Sequence, residues 1–209
     1  MGHDWGALPP ARCPPSGDAV SNQVEIANKA FLLLTLVANA VIVIAVVTSV
    51  FALFVAPVRR LRDSMIAAIG PEARRLAFAV AAICTLGSLY YSEFAHFVPC
   101  RLCWYQRICM YPLVVILGVG AWKRAPFTRL TALPFIICGI GVSTWHFLVE
   151  RFPTIEGTSC GTEIKCSVPW FTEMGFVTLA FMCLSGMALI ATLLLVDRAY
   201  QRTTSEEIA

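Results

Sequence analysis

From Phe31 to Ala56 the chain runs for 26 residues without a charged side chain. A helix of that length can cross a hydrocarbon core of about 30 Å with some tilt. Four further apolar stretches follow, at about 76–94, 104–122, 130–149 and 174–196. With 58% hydrophobic and 14% charged residues and a mean hydropathy of +0.73, the chain is too apolar for an ordinary soluble domain. The expected fold class is all-α: a polytopic membrane protein with five spans.

The segments between the spans give an orientation. Residues 57–75 carry Arg59, Arg60, Arg62, Arg74 and Arg75 against Asp63 and Glu72, and read as a basic loop. Lys123, Arg124 and Arg129 make a second basic loop. Together with the polar tail 197–209, these segments hold ten of the 16 Lys and Arg residues. The positive-inside bias predicts that they are cytoplasmic. The opposite face then carries the N-terminal tail, the connector before Cys100 and the loop 150–173. Tyr90, Tyr91, Trp104, Tyr105, Trp145 and Trp170 cluster at that outer boundary, as an aromatic belt does. Residues 1–30, polar and rich in Pro, Gly and Ala, read as a flexible tail. They lack the basic region, short apolar core and cleavage site of a secretory signal, so the first span is expected to stay in the mature protein. The net charge of +3 resides in short loops and gives no support to nucleic-acid binding.

Chemistry concentrates in Val98–Pro112, VPCRLCWYQRICMYP. If a helix begins near Cys100, then Cys100, Cys103, Arg107 and Tyr111 share one helical face. Two cysteines three apart on a helix turn can bridge, and the free amides of a helix start, with Arg107 one turn on, lower a thiol pKa. Taken alone, this CxxC is equally compatible with inert thiols or a structural metal. Cys84, Cys109, Cys138 and Cys183 lie inside apolar segments and read as small packing residues. Cys160 and Cys166 lie in the polar loop two helices after the CxxC, so both pairs must occupy one side of the membrane. Two dithiol pairs at one surface can relay electrons by thiol–disulfide exchange between an external thiol and a lipid-soluble acceptor.

The run PCRLCWYQR leading into a span, with a second cysteine pair two helices later, resembles the DsbB family of disulfide-bond-forming membrane proteins, and WYQRI and MYP resemble its BdbC-like branch. The resemblance covers about 76–196, a four-helix redox domain, and leaves span 31–56 as an additional helix. It implies an enzyme of the bacterial cytoplasmic (inner) membrane that reoxidises a DsbA-like thioredoxin-fold thiol oxidase and passes the electrons to membrane quinone, ubiquinone or menaquinone. By the same resemblance Cys100 and Cys103 are the quinone-proximal pair, with Cys103 beside the ring, and Cys160 and Cys166 are the partner-facing pair, with Cys160 forming the mixed disulfide. Arg107 matches a quinone-contacting arginine and His146 a histidine near the quinone site. With Tyr111, on the Arg107 face, they are the expected quinone-binding residues; no metal is expected. Gln106 departs from the family, where many members carry Glu, and Cys13 matches nothing in it.

Two other readings fit part of the pattern. A vitamin K epoxide reductase-like protein also couples thiols to quinones, but its CxxC starts the last core helix, whereas this one precedes the second. A Cys₄ zinc site stapling the outer loops of a structural or transport protein would need an unusual C-x₅-C half-site.

Overall fold

The computed structural model of the protein describes residues 17–123, 125, 127–155 and 165–208. These residues form helices α1 (Gly17–Phe51), α2 (Ala56–Ile69), α3 (Ala73–Glu93), α4 (Arg101–Lys123), α5 (Thr128–Arg151) and α6 (Leu179–Ile208). Five helical stretches are long and apolar enough to cross a membrane, with α2 and α3 forming one of them. The protein is an all-α, multi-pass membrane protein.

Helices α3, α4, α5 and α6 close a four-membered ring in which each packs on its sequence neighbour and α6 returns to α3. Their shared core contains Ala77, Ala81, Leu113, Leu117, Ala132, Ile136, Met187 and Ile190. Small residues let the backbones approach: a Cβ on Gly139 would lie 2.5 Å from the Met187 methyl. Among the four cysteines read as packing residues, Cys109 is buried, Cys84 and Cys183 are partly buried, and Cys138 faces outward. Helix α1 lies outside the ring, along α6.

The helix connections gather at two distinct ends of the bundle. At one, Asp197 accepts from Arg74 Nε at 3.0 Å and from Gln201 Nε2 at 3.1 Å, with Arg129 Nε 3.6 Å away. This end also carries the α4–α5 turn and is termed the basic end. The other end carries the CxxC, the connector 94–100 and the segment 165–178. There Phe97 stacks on Trp170 with ring centroids 4.7 Å apart and on Tyr91 at 5.5 Å, so the two segments cover each other.

Several boundaries differ from the sequence expectation. Residues 17–30 belong to α1 instead of a tail, and Glu25 and Lys29 pair at 2.6 Å across one helical turn. Within 57–75, Pro57 opens α2 at a position where a missing N–H costs nothing, and the arginines project outward or find acceptors; Arg59 Nε donates to the carbonyl of Ala52. Arginine marks a membrane boundary without ending a helix. The last span begins later than expected, at Leu179, because Met174 (φ 51°) and Gly175 (φ 78°) make a tight turn closed by paired backbone bonds between Glu173 and Val177. Thr178 then caps α6 by accepting from the Phe181 N–H at 3.3 Å. At its far end α6 runs on through the expected polar tail, with Asp197 held by Arg74.

Candidate functional site: a buried dithiol beside an apolar cavity

Pro99 ends the connector and Cys100 stands at the N-cap of α4, its carbonyl accepting from the Trp104 N–H at 3.1 Å. The Cys100 Sγ accepts from the Cys103 N–H at 3.4 Å, as a serine oxygen does at a helix start. The two Sγ atoms are 3.2 Å apart and both cysteines are free thiols. A disulfide requires only that this distance close to about 2.05 Å.

His146, 3% exposed, reaches from the last turns of α5 to the other side of Cys100, with Nε2 3.7 Å from Sγ. Its Nδ1 faces Gln106 Oε1 at 3.3 Å. The amide of Gln106 is oriented by a bond from its Nε2 to Ser143 Oγ at 3.1 Å, so its oxygen is presented to the imidazole. With its proton on Nδ1, held by Gln106, the ring turns the Nε2 lone pair toward Cys100. Glu150 lies 3.8 Å from the same Nε2 and receives a 2.5 Å bond from Thr178 Oγ1. A proton taken from Cys100 would thus rest between a thiolate and a carboxylate. With the Cys103 thiol donating to it first, then His146, Cys100 is held well below the ordinary thiol pKa despite its burial.

Cys166 is disulfide-bonded and 1% exposed, and it packs in one buried cluster with Cys100, Leu102 and Val149. The structure thus brings a member of the second pair to the Cys100 side of the CxxC. Cys160 and Cys13 lie outside the described residues.

The opposite side of the dithiol opens into a cavity of about 280 Å³. Cys103, Gln106, Arg107 and Tyr111 line one end, and apolar side chains of α1, α3 and α6 line the rest. Arg107 is half-buried, with its guanidinium turned toward α3. Its Nε donates to Ser88 Oγ at 3.0 Å and its Nη2 to the Ser88 carbonyl at 3.1 Å, while the guanidinium lies 5.2 Å from the Trp104 ring centroid. Two of five N–H groups are used in these bonds, leaving donors for the cavity. The Tyr111 hydroxyl joins the same Ser88 Oγ at 3.4 Å. His146 is not among the residues lining this cavity; it faces Cys100 instead.

The family profile described as disulfide bond formation protein DsbB matches residues 72–196. The chain belongs to the DsbB family. Among relatives, disulfide bond formation protein C of Bacillus subtilis is 42% identical over 112 residues, which is 53% of this chain and 81% of that protein. The probable disulfide formation protein C 2 of Bacillus cereus is 33% identical over 122 residues, 58% of this chain and 88% of its own. A probable disulfide formation protein of Oceanobacillus iheyensis is 42% identical over 106 residues, 50% and 72%. No solved structure matches. The DsbB profile covers the ring α3–α6 up to Val196, the CxxC and both loops at the dithiol end, and excludes α1 and α2. Membership makes this a membrane protein of disulfide bond formation.

Sequence reasoning missed Ser88, Ser143 and Glu150. Ser88 and Ser143 are unremarkable inside spans, and only the packing of α3 and α5 against α4 gives them partners. Glu150 stands four residues after His146, a spacing that could have flagged the pair. Ligand atoms of Cys100, Cys103 and His146 all lie within 4.8 Å of one another, a spacing that would also bring three metal ligands together. Around tetrahedral zinc, with Zn–S of about 2.3 Å, the sulfurs would stand about 3.8 Å apart. The pair at 3.2 Å is already closer than that. The disulfide at Cys166 also removes a thiolate from the Cys₄ arrangement.

Proposed function

We propose that this protein is a thiol:quinone oxidoreductase of the bacterial cytoplasmic membrane. It oxidises a DsbA-like, thioredoxin-fold thiol oxidase through Cys160 and Cys166 and hands the electrons through Cys100 and Cys103 to membrane quinone. The observation that carries the reading is that the two thiols of the CxxC face different surroundings. Cys100 shares a buried cluster with the disulfide-bonded Cys166, whereas Cys103, at the edge of that cluster, also lines an apolar cavity with Arg107 at its polar end.

The residues fit a quinone: a ring would meet the unused N–H donors of Arg107 with the Tyr111 hydroxyl beside them, and a hydrocarbon chain would meet apolar walls. When bound, a quinone supplies an acceptor for two electrons and two protons. The remaining steps belong to the chain. A dithiol of the partner reduces the Cys160–Cys166 disulfide by exchange, and the resulting dithiol reduces the Cys100–Cys103 disulfide in the same way. Each exchange forms one S–S bond and breaks one, so electrons balance without another oxidant. His146 Nε2 holds the Cys100 proton, Gln106 keeps the imidazole in the tautomer that can do so, and Arg107 supplies positive charge where negative charge develops beside Cys103. In this orientation the dithiol end faces the exoplasmic side and the C-terminus the cytoplasm.

The test uses purified full-length protein and a reduced thioredoxin-fold oxidase without oxygen. Adding quinone is expected to start oxidation of the partner's thiols, one dithiol per quinone reduced. Partner oxidation at an unchanged rate without quinone, or none with it, would sink the proposal. Sidedness is read separately: an impermeant thiol reagent applied to intact cells is expected to reach Cys13 and, after reduction, Cys160, and labelling only in inverted vesicles would reverse the orientation.

A further inference from the structure

We propose that α1 forms one wall of a lateral portal, opposite α3, through which the isoprenoid chain of a bound quinone runs from Cys103 to the lipid. This rests on the quinone reading of the Cys103 cavity and adds a residue set that lies outside the matched family segment 72–196.

The ring α3–α6 is closed without α1, yet α1 is docked in a defined register. Tyr91 donates to Asn28 Oδ1 at 2.8 Å in a buried bond, and Asn39 Nδ2 donates to Ser185 Oγ at 2.8 Å. The Phe31 ring fills the space left by Gly87, where a Cβ would come within 2.7 Å of it. Interhelical hydrogen bonds and close approach at glycine are the means by which helices associate in lipid. These contacts tie α1 to α3 at the dithiol end and to α6 further along.

Beyond Phe31 and Gly87, α1 and α3 do not close on each other, and the cavity occupies the gap. Leu34, Ala38 and Val41 recur on one face of α1 and line it, with Ile83 opposite on α3. Leu34, Val41 and Ile83 line the cavity and remain 48%, 42% and 44% exposed, so the cavity is not sealed at these residues and the structure leaves it open between α1 and α3. One end is polar and adjoins a thiol; the other is apolar and open to hydrocarbon. An occupant that satisfies both ends has a compact hydrogen-bonding head and a long apolar chain, which is the form of a polyprenyl quinone. Without α1, that chain would lie against α3 and α6 with no outer wall.

A quinone carrying a diazirine in its alkyl tail, irradiated with the full-length protein in lipid nanodiscs, provides a direct test. Crosslinks are expected on the α1 peptide spanning 34–41 and near Ile83, displaced by unlabelled tailed quinone and not by phospholipid. Label confined to α4, α5 or α6, or label displaced by phospholipid, overturns the proposal. Binding read by tryptophan quenching gives an independent measure. Ala38→Phe is expected to weaken a decyl-tailed quinone about tenfold while changing a tailless quinone by less than about twofold. Val46→Phe, on the outward face of the same helix, is expected to change neither. Equal loss of both quinones in Ala38→Phe overturns the portal, because α1 would then only support the head site. Failure of the wild-type protein to bind either quinone would instead overturn the quinone reading itself.

Discussion

Gln106 Oε1 sits 3.3 Å from His146 Nδ1, and that contact favours the imidazole proton on Nδ1, away from Cys100. Removing the acceptor frees the tautomer. Gln106→Leu is expected to slow thiol exchange at Cys100 by about tenfold, equivalent to about 1.4 kcal/mol of barrier. Gln106→Glu keeps an acceptor and is expected to retain most of the rate at neutral pH. Stopped-flow exchange with a small disulfide measures both; equal loss in the two variants would mean that only packing was disturbed.

The low pKa of Cys100 has a definite sign in a pH profile. A thiol held below its ordinary value is already a thiolate in mildly acidic solution, where an unperturbed thiol, near 8.5, is almost wholly protonated. Reaction of Cys100 with a small thiosulfonate is therefore expected to stay near its plateau as pH falls from about 8 to 6, whereas a free model thiol slows by about a hundredfold over that interval. His146→Phe removes one of the contacts that lower the pKa and is expected to move the inflection upward. A Cys100 profile that follows the model thiol would remove the thiolate from the mechanism.

Cys166→Ser separates the two halves of the proposed relay. Oxidation of a protein partner is expected to fall to background, while reduced Cys100 and Cys103 still react with quinone. Cys160→Ser is expected to behave likewise. Partner oxidation at the wild-type rate in either variant would show that the CxxC meets the partner directly.

At the basic end, Asp197 gathers Arg74, Arg129 and Gln201. Replacing it with Ala leaves two guanidinium groups short of their counter-ion at a largely buried site, and breaking such a pair costs about 3 to 5 kcal/mol. Thermal unfolding in detergent is expected to show this loss for Asp197→Ala. Arg74→Met added to it is expected to cost much less than the sum of the single variants, because the first change has already removed the pairing. Strict additivity would show that the two residues do not support each other.

How much of this was legible beforehand follows from the range over which each signal acts. Charge-free runs mark spans locally, and the i, i+3, i+7, i+11 spacing of Cys100, Cys103, Arg107 and Tyr111 lies within one helix, so both could be read from the chain. Helix α2 was obscured because its arginines resemble a loop, although Pro57 is placed as a helix opener. Gln106 stood out only as a departure from Glu. Its role requires α5 to present His146 and Ser143, which no spacing along α4 reveals. The wall formed by α1 is likewise a tertiary fact: Phe31 and Gly87 meet across 56 positions of sequence, and nothing in either segment announces the other.

Arg107 offers the sharpest test of what the cavity is for. Its guanidinium is aimed inward by two bonds to Ser88 and by the face of Trp104, one turn beyond Cys103. Lysine would keep the charge but lose the planar fork that can bond Ser88 and a ligand oxygen together. Arg107→Lys is therefore expected to raise the apparent KM for quinone and slow turnover by about tenfold, or about 1.4 kcal/mol, in a protein that still inserts and folds. Ser88→Ala removes only the Oγ acceptor and leaves the carbonyl in place, so a smaller loss, about twofold to fivefold, is expected. Steady-state kinetics with a soluble quinone analogue separate the two variants. If Arg107→Lys left both KM and turnover unchanged, the inward fork would be a packing device between α3 and α4, and the positive charge beside Cys103 would have no part in electron transfer.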